Sequence, residues 1–275
     1  MKLKDKIALV TGSSRGVGRA VALGYAEEGA KVVVNYTSNQ KAADEVVQAI
    51  LDMGSDAIAV KADVAQKSEA ENLVSAAVDK FGRLDILVNN AGVLGPVGRT
   101  DQADVDAWLH TVQINLGGCF LCTHACLPGM IERGDGKIIN LSGGGASGPR
   151  PQFSAYGASK AAIVRFTETL AAELDETGVR VNAIAPGAVN TQMTEMTATA
   201  IEAGAESSAA KRQLAEGGAD VNRAAQLACF LASSRSDGIT GRLFSAIWDN
   251  WETVKAETLD PDDYTLRRVT PREEA

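Results

Sequence analysis

Residues 6–18 of this 275-residue chain read KIALVTGSSRGVG, an apolar run that leads into a turn holding Gly12, Gly16 and Gly18. The next segment, RAVALGYAEEGA, has the pattern of a helix. A strand, a glycine turn and a helix in this order direct backbone N–H groups at a phosphate. The spacing is not that of a P-loop, and it is not GxGxxG, because Val21 occupies the third glycine position. We expect Gly12 to form the turn, Gly16 to admit a pyrophosphate and Gly18 to pack the helix.

The chain beyond this turn repeats the unit of strand and helix. Apolar runs predict further strands at 31–36, 56–61, 84–90, 137–142 and 179–185, and a last strand with an aromatic cluster within 241–251. Helical spacing covers residues 40–53, 67–81, 104–133, the stretch around and after 160, and 221–233. This alternation predicts an α/β fold with a parallel, doubly wound sheet, in a single domain over residues 1–252. Right-handed crossovers place the strand ends that carry glycine or asparagine at one edge.

Composition narrows the class of protein. A chain of this length can bury one large core without disulfides or metals. A net charge of −8 and a pI near 4.9 give no sign of a nucleic-acid or anionic-membrane surface. The apolar run at the N terminus is too short for a signal peptide, and no stretch approaches about 18 uninterrupted apolar residues. We therefore expect a cytoplasmic protein that binds neither nucleic acid nor membrane.

Three cysteines, Cys119, Cys122 and Cys126, recur at helical spacing around His124, and Cys229 lies far away. The spacing favours one packed helix face over a tetrahedral metal cage. We therefore predict no metal site and expect free, buried thiols in a reducing compartment.

The end of the second predicted strand bears on the choice between NAD and NADP. An acidic residue at this position holds the ribose 2′-OH of NAD, but the chain reads Asn35-Tyr36-Thr37-Ser38. Arg15, within the glycine turn, can pair its guanidinium with a 2′-phosphate. The missing acid and the available arginine favour NADP(H) over NAD(H). The alternative is that Arg15 is a solvated turn residue.

Tyr156 and Lys160 suggest bond-making chemistry. They are four residues apart on a predicted helix, so both side chains leave one face. A cation beside a phenol favours the phenolate, which lets a tyrosine exchange a proton near neutral pH, although such pairs also occur by chance. Ser142 closes the strand KIINLS, where a hydroxyl is placed to hold a substrate oxygen. Asn115 interrupts an apolar stretch, so it either binds backbone or water structurally or belongs to a site.

Two segments near the C terminus fall outside the alternation. Residues 188–219 are small, polar and methionine-containing, with moderate helical order. They predict a mobile substrate lid, with a plain surface excursion as the alternative. The charged residues 253–275 predict a C-terminal tail that either packs on a neighbouring subunit or frays.

The motifs together resemble the classical short-chain dehydrogenases/reductases over about residues 4–247. The matching segments are TGSSRGVG at 11–18, Asp63, NNAG at 89–92, Asn115, Ser142, YGASK at 156–160 and PGAVNT at 186–191. The resemblance implies a Rossmann-type sheet of seven strands, a nicotinamide cofactor and a catalytic set of Asn, Ser, Tyr and Lys. The strand end with Arg15 is similar to that of NADPH-using members.

The resemblance also implies roles for this set. Tyr156 would exchange a proton with the carbonyl oxygen, and Ser142 would hydrogen-bond that oxygen. Lys160 would grip the nicotinamide ribose and lower the tyrosine pKa, while Asn115 would hold a water that joins Lys160 to solvent. The cofactor would contact Tyr156, Lys160 and Gly12, Ser14, Arg15, Gly16, Val17, Gly18, Asn35, Tyr36, Thr37, Ser38, Asp63, Val64, Asn90, Ala91, Gly92, Pro186, Gly187, Val189 and Thr191.

Two departures from the family pattern concern the substrate. The chain continues past SAIWDNW, so Trp248 and Trp251 are predicted to shape the pocket or a subunit contact. The small loop GGGASGP after Ser142 leaves room for a bulky or ring-shaped substrate, or is simply flexible. By loop position, the predicted pocket residues are Leu94, Gly144, Gln152, Phe153, Ala188, Met193 and Met196.

The leading hypothesis is an NADP(H)-dependent oxidoreductase that interconverts a ketone and a secondary alcohol. The substrate would be a small molecule such as a 3-oxoacyl thioester, a polyketide-like ring or a sugar or polyol carbonyl. Family habit suggests a homo-oligomer, a tetramer or a dimer. One alternative is an NADP(H)-binding sensor or scaffold without turnover. A hydrolase using Ser142 is a weaker alternative, because the strand end is not GxSxG.

Overall fold

A computed structural model describes residues 1–268 of the chain, and its centre is a seven-stranded parallel sheet. The strands in chain order, β1 to β7, are Ile7–Val10, Lys31–Tyr36, Ala57–Lys61, Ile86–Asn89, Gly136–Leu141, Val179–Ala185 and Leu243–Ser245. They lie side by side in the order β3-β2-β1-β4-β5-β6-β7. The predicted Rossmann-type sheet of seven parallel strands in one domain is confirmed.

Helices cover both faces of the sheet. In chain order, α1 to α9 are Gly16–Glu27, Gln40–Asp52, Lys67–Phe81, Val105–Val112, Gly118–Arg133, Ser154–Glu173, Gln192–Thr199, Ala205–Glu216 and Val221–Ala232. One core cluster joins the sheet to α1, α2 and α9, and a second joins it to α3, α5 and α6. Because both faces are buried, the central strands contain continuous apolar runs such as IALV in β1 and VVV in β2.

The predicted helix over 104–133 is interrupted by a wider turn. The segment Gln113–Gly117 is a π-helical turn between α4 and α5, and such turns are frequent at functional sites. The run Val105–Arg133 is long and apolar enough to cross a membrane by composition, with 39% of its most apolar window buried. Its inner side packs on α3 and β4, as in the core helices of α/β domains.

The cysteines of α5 form the packed face that their spacing predicts. Cys119, Cys122 and Cys126 are 5%, 0% and 4% exposed, and they carry free thiols, as does Cys229. Burial raises the pKa of Cys119 and of Cys122 to about 12. These thiols are therefore protonated packing groups at neutral pH.

The segment at 188–219 is folded on the domain. It contains α7, a short 3₁₀ turn at Ile201–Ala203, and α8. Gln213 on α8 donates through Nε2 to the carbonyl of Ala188 at 2.7 Å and to Asn190 at 3.0 Å. The segment therefore folds back on itself, because α8 hydrogen-bonds to the residues with which the segment begins. Its role as a lid stays a prediction.

The tail packs on its own domain through Tyr264 and Leu266, and its contact with a neighbouring subunit stays a prediction. The carbonyl of Tyr264 accepts a hydrogen bond from the N–H of Leu243 in β7 at 2.7 Å, and the ring centre of Tyr264 lies 4.6 Å from that of Phe244. Glu168 of α6 accepts from the N–H of Leu266 at 2.8 Å. The remainder of the predicted tail, residues 269–275, lies outside the described residues.

The predicted aromatic cluster forms only in part. Trp251 is 3% exposed and packs against Phe230 of α9, with ring centres 5.8 Å apart. Trp248 is 85% exposed. Trp251 therefore belongs to the core, and Trp248 does not contribute to a cluster.

Candidate active site

The shape of the glycine turn depends on one buried asparagine. Asn35, 1% exposed in β2, accepts a hydrogen bond from the backbone N–H of Gly12 at 2.9 Å. Its amide nitrogen donates to the carbonyls of Val60 and Ala62, at 3.3 and 3.0 Å. The expectation that this side chain contacts the cofactor is corrected, because backbone groups of three segments engage it. Its position fixes the turn, in which Gly12 has the left-handed φ of 61° that glycine adopts without strain.

A second asparagine ties the turn to the neighbouring strand. Asn90, just after β4, donates through Nδ2 to the carbonyls of Thr11 and Gly12, at 2.8 and 3.1 Å. A Cβ on Gly18 would lie 2.4 Å from this nitrogen, so α1 approaches so closely only because residue 18 is glycine. β1 and β4 flank the point where the strand order reverses, which is where open α/β sheets bind ligands.

The residues predicted to distinguish NADP from NAD lie at the surface beside this turn. Arg15 is exposed at the N-terminal end of α1, and Thr37 and Ser38 are exposed directly after β2. Tyr36 is 8% exposed, and its ring belongs to the core. Of the segment 35–38, therefore, Thr37 and Ser38 present side chains to solvent near the turn.

The loop after β3 is shaped by its own carboxylate. Asp63 accepts from the N–H of Ala65 at 3.0 Å, and its own N–H donates to Glu69 at 2.7 Å. Val64 is 3% exposed and packs against α5, where a Cβ on Gly118 would lie 2.6 Å from its Cγ2. The carboxylate of Asp63 is therefore engaged within its own loop, and the predicted contacts of Asp63 and Val64 with an adenine stay predictions.

Tyr156 and Lys160 lie on one buried face of α6, as their spacing predicts. The ammonium of Lys160 is 5.5 Å from the centre of the Tyr156 ring and donates to the carbonyl of Leu141 at 2.7 Å. Burial lowers the pKa of Lys160 to about 8, partly opposed by the nearby Cys119. Burial raises the pKa of Tyr156, and the nearby guanidinium of Arg150 opposes this rise.

Asn115 is a bridge between elements. It sits in the π-helical turn, where its Oδ1 accepts from the N–H of Val93 at 2.8 Å. Its Nδ2 donates to the carbonyl of Val93 and to Ser159 of α6, both at 3.0 Å. A Cβ on Gly92 would lie 3.1 Å from Oδ1 and 3.7 Å from Nζ of Lys160. Asn115 therefore fixes the NNAG loop against the helix that carries Tyr156. Its contact with a water stays a prediction.

The structure contradicts the role assigned to Ser142. Its hydroxyl is 3% exposed and donates to the backbone carbonyl of Lys160 at 3.0 Å. The next residue, Gly143, faces the tyrosine: a Cβ there would lie 3.0 Å from the hydroxyl of Tyr156. Successive residues at a strand end point to opposite sides. The position that faces Tyr156 thus carries no side chain, and Ser142 is a structural residue.

The segment after β6 meets the glycine turn. A Cβ on Gly16 would lie 3.6 Å from Cγ2 of Thr191, which begins α7 through a capping box with Thr194. Gly187 has a φ of 86°, and Val189 is 7% exposed. Pro186 is half-buried. Thr191 therefore lies between the glycine turn and α7, and its contact with a cofactor stays a prediction.

The predicted pocket residues divide into two groups. Leu94 and Phe153 form a buried cluster with Tyr156 and Ala203, and Met193 packs against it. By contrast, the exposed positions of the same set are Gly144, Ala188 and Met196, the last at 49%, and Gln152 is half-buried.

Arg150 is a site residue that the sequence analysis missed. It lies in the loop between Ser142 and α6, with its guanidinium 4.1 Å from the ring centre of Phe153 and 5.4 Å from that of Tyr156. Through Nε and one terminal nitrogen it donates to Glu206 of α8, at 3.0 and 2.9 Å. No local pattern in the loop sequence indicates this pair, because its members are 56 residues apart.

The family model described as short chain dehydrogenase matches residues 6–202, which contain the glycine turn, Tyr156 and Lys160. The chain belongs to the short-chain dehydrogenases. It is an NAD(P)-dependent oxidoreductase, and members of this family act on small molecules. This membership favours an oxidoreductase over the hydrolase considered above.

Relatives of this short-chain dehydrogenase are reductases and dehydrogenases by name. It is 44% identical over 193 residues to a 3-oxoacyl-[acyl-carrier-protein] reductase of Synechocystis, covering 70% of this chain and 78% of that protein. It is 40% identical over 250 residues to a short-chain type dehydrogenase/reductase of Picea abies, covering 88% and 90%. FabG of Staphylococcus aureus, also a 3-oxoacyl-[acyl-carrier-protein] reductase, is 38% identical over 237 residues, covering 86% and 94%.

Two solved structures share the fold over most of their length. NAD⁺-bound xylitol dehydrogenase superposes with a TM-score of 0.82 at 29% identity, covering 89% of this chain and 98% of that one. Levodione reductase gives the same TM-score and identity, covering 88% and 96%. The architecture is therefore common to proteins whose named substrates differ.

Proposed function

We propose that this short-chain dehydrogenase interconverts a ketone and a secondary alcohol with NADP(H), and that Tyr156 exchanges the proton. The observation that carries the proposal is the pairing of Tyr156 with Lys160, 5.5 Å apart, on the helix face next to the glycine turn. A bound nicotinamide supplies or accepts the hydride in this chemistry. The turn fits such a cofactor, because Gly16 is exposed where α1 begins, and Gly12 and Gly92 beside it are only half-buried.

The chain's own residues account for the movement of the proton. Tyr156 gives its hydroxyl proton to the carbonyl oxygen during reduction and takes it back during oxidation. Lys160, held at the carbonyl of Leu141, is positioned between the tyrosine and Gly92. From there its ammonium can bind a cofactor ribose and pass a proton inward. Asn115 holds the loop that contains Gly92 against α6, because it hydrogen-bonds to both Val93 and Ser159 of α6.

The preference for NADP(H) is proposed from charge at the mouth of the turn. Arg15 is exposed there, and Thr37 and Ser38 are exposed directly after β2. A guanidinium and two hydroxyl groups can bind a 2′-phosphate, whereas the segment offers no carboxylate to bind a ribose diol.

Replacing Arg15 with alanine is expected to weaken NADPH selectively. The loss of one guanidinium–phosphate pair should raise the KM for NADPH roughly tenfold to a hundredfold and leave that for NADH nearly unchanged. Steady-state assays with both cofactors measure this ratio. Lys80→Ala is the matched control, because it removes an exposed cation from the distal end of α3. Equal use of NADPH and NADH before and after the Arg15 change would overturn the NADP assignment.

The substrate class is proposed as a ketone held above Tyr156 in a partly apolar pocket. Leu94, Phe153 and Met193 provide the apolar wall. The names of the relatives cover carrier-bound 3-oxoacyl groups, xylitol and levodione, which match the three classes considered from the sequence. Measuring NADPH consumption with 3-oxoacyl thioesters, cyclic diketones and keto sugars ranks these classes. The absence of turnover with every ketone would refute the proposed reaction.

A homo-oligomer is proposed from the outer face of the long helix. Leu109, Phe120 and Ile131 are 56%, 48% and 42% exposed along α4 and α5, opposite the side that packs on the sheet. We take these exposed apolar side chains, spaced along one helical run, as the surface that meets a second copy of the chain. Their burial between copies of the chain explains why a helix in a soluble family is apolar on two sides.

Replacing Phe120 with glutamate is expected to lower the oligomeric state. Sedimentation should show a dimer or tetramer for the wild-type protein and a shift towards monomer for the variant, because a carboxylate would be desolvated at the interface. Met53→Glu is the control, since Met53 is 44% exposed at the end of α2. A wild-type protein that sediments as a monomer would contradict the proposal.

A further inference from the structure

The hydroxyl of Tyr156 has no free side-chain hydroxyl group beside it at the end of β5. Position 143, the nearest place from which a side chain could reach it, is glycine, and Ser142 gives its hydroxyl to a backbone carbonyl. Around the ring the packing is apolar, with Leu94, Phe153 and Ala203. A phenolate in such a place needs cationic or hydrogen-bonding partners from elsewhere.

Arg150 fills part of the space that the glycines leave. A Cβ on Gly145 would lie 3.3 Å from Cβ of Arg150, and one on Gly144 would lie 3.9 Å from a terminal guanidinium nitrogen. The small loop therefore does not simply enlarge the pocket, as expected from the sequence. It admits an arginine between the loop and the ring of Tyr156.

Glu206 and Phe153 hold the guanidinium in place. Phe153, fully buried, supports the guanidinium plane at 4.1 Å, and Glu206 of α8 accepts from two of its nitrogens. The side chain of Arg150 is 18% exposed, so its charge is only partly screened by water. The other charged or titratable group beside the ring is Lys160, on the same helix, with Cys119 of α5 behind it.

We propose that Arg150 is a positioning residue for Tyr156: its guanidinium, held by Glu206, supplies positive charge on the side where position 143 offers no hydroxyl. This inference rests on the proposed role of Tyr156 in proton exchange. Arg150 acts on the reaction through the tyrosine. Glu206 reduces the effect, because its carboxylate partly neutralises the guanidinium. The segment 188–219 is thereby connected to the acidity of the proton donor.

The sign of the effect follows from charge. A cation favours the phenolate, so Arg150 lowers the pKa of Tyr156 against the rise that burial causes. Removing the cation raises that pKa, and removing the carboxylate of Glu206 lowers it. In the direction of alcohol oxidation the tyrosine must begin as the phenolate. The low-pH limb of the rate profile therefore moves in the same direction as this pKa.

The test compares Arg150→Met, Arg150→Lys and Glu206→Gln with the wild-type protein. Tyrosinate absorbance is titrated in each background, and the same titration with Tyr156→Phe added is subtracted to isolate Tyr156. Arg150→Met should raise its pKa by roughly one pH unit, and Arg150→Lys, which keeps the charge, should stay near wild type. Glu206→Gln keeps a hydrogen-bond acceptor for Arg150 and should move the pKa downward.

The rate profile for alcohol oxidation provides the second measurement. At a pH below the pKa of Tyr156, alcohol oxidation by Arg150→Met should be roughly tenfold slower than by the wild-type protein. A rise of one unit in this pKa lowers the fraction of phenolate tenfold at a given pH. An equal pKa of Tyr156 in Arg150→Met and in the wild-type protein would overturn the inference. A shift of Glu206→Gln in the same direction as Arg150→Met would also do so, because it would indicate a purely structural role. The titration needs no turnover, so a failure of the proposed reaction is detected separately.

Discussion

Replacing Tyr156 with phenylalanine is expected to lower kcat by roughly 10²–10⁴-fold while NADPH binding changes little. The substitution removes the hydroxyl that exchanges the proton but keeps the ring that packs with Leu94, Phe153 and Ala203. The cofactor cradle lies on the glycine turn and does not depend on this hydroxyl. Turnover is followed by NADPH absorbance, and cofactor affinity by the fluorescence of bound NADPH.

The matched control for this change is Tyr264→Phe. It makes the same chemical change at a ring that packs on Phe244 at the far edge of the sheet, so activity should stay at the wild-type level. If Tyr156→Phe retained wild-type turnover, the proton would come from another group and the proposed mechanism would fail. If both variants lost activity equally, the loss would reflect stability and not proton transfer.

Replacing Asn35 with alanine is expected to lower the free energy of unfolding by about 3 kcal/mol. The change removes the acceptor for the N–H of Gly12 and the donor to the carbonyl of Ala62 at the end of β2. For a domain of this size the melting temperature should fall by about 10 °C. The change should also weaken NADPH binding, because the turn proposed to hold the pyrophosphate loses its internal hydrogen bond.

The variants Asn35→Asp and Thr37→Ala complete this experiment. Asn35→Asp keeps an acceptor for Gly12 but places a buried carboxylate against carbonyl oxygens, so it should be more destabilising than alanine. Thr37→Ala changes an exposed neighbour and should leave the melting temperature within about 1 °C. Thermal unfolding by circular dichroism measures all three. A melting temperature for Asn35→Ala close to that of wild type would show that the turn does not need this bond.

The sequence by itself determined the fold and the location of the site. The bounds of β2, α3 and β6 follow from periodicity, because burial on both faces or one face imposes a local pattern on the residues. The glycines of the turn and the Tyr156–Lys160 spacing are also local, so strand, turn and helix geometry place them without knowledge of distant contacts.

Only the tertiary structure decided how individual side chains are used. Ser142 and Gly143 are neighbours in sequence, but their opposite directions at the end of β5 decide which one faces Tyr156. Similarly, Asn35 looks like a cofactor residue until the carbonyls beyond β3 are seen to engage its amide. Arg150 gains its place from Glu206, 56 residues away. Hydrogen bonds and charges act through space, so these assignments depend on contacts that no local pattern contains.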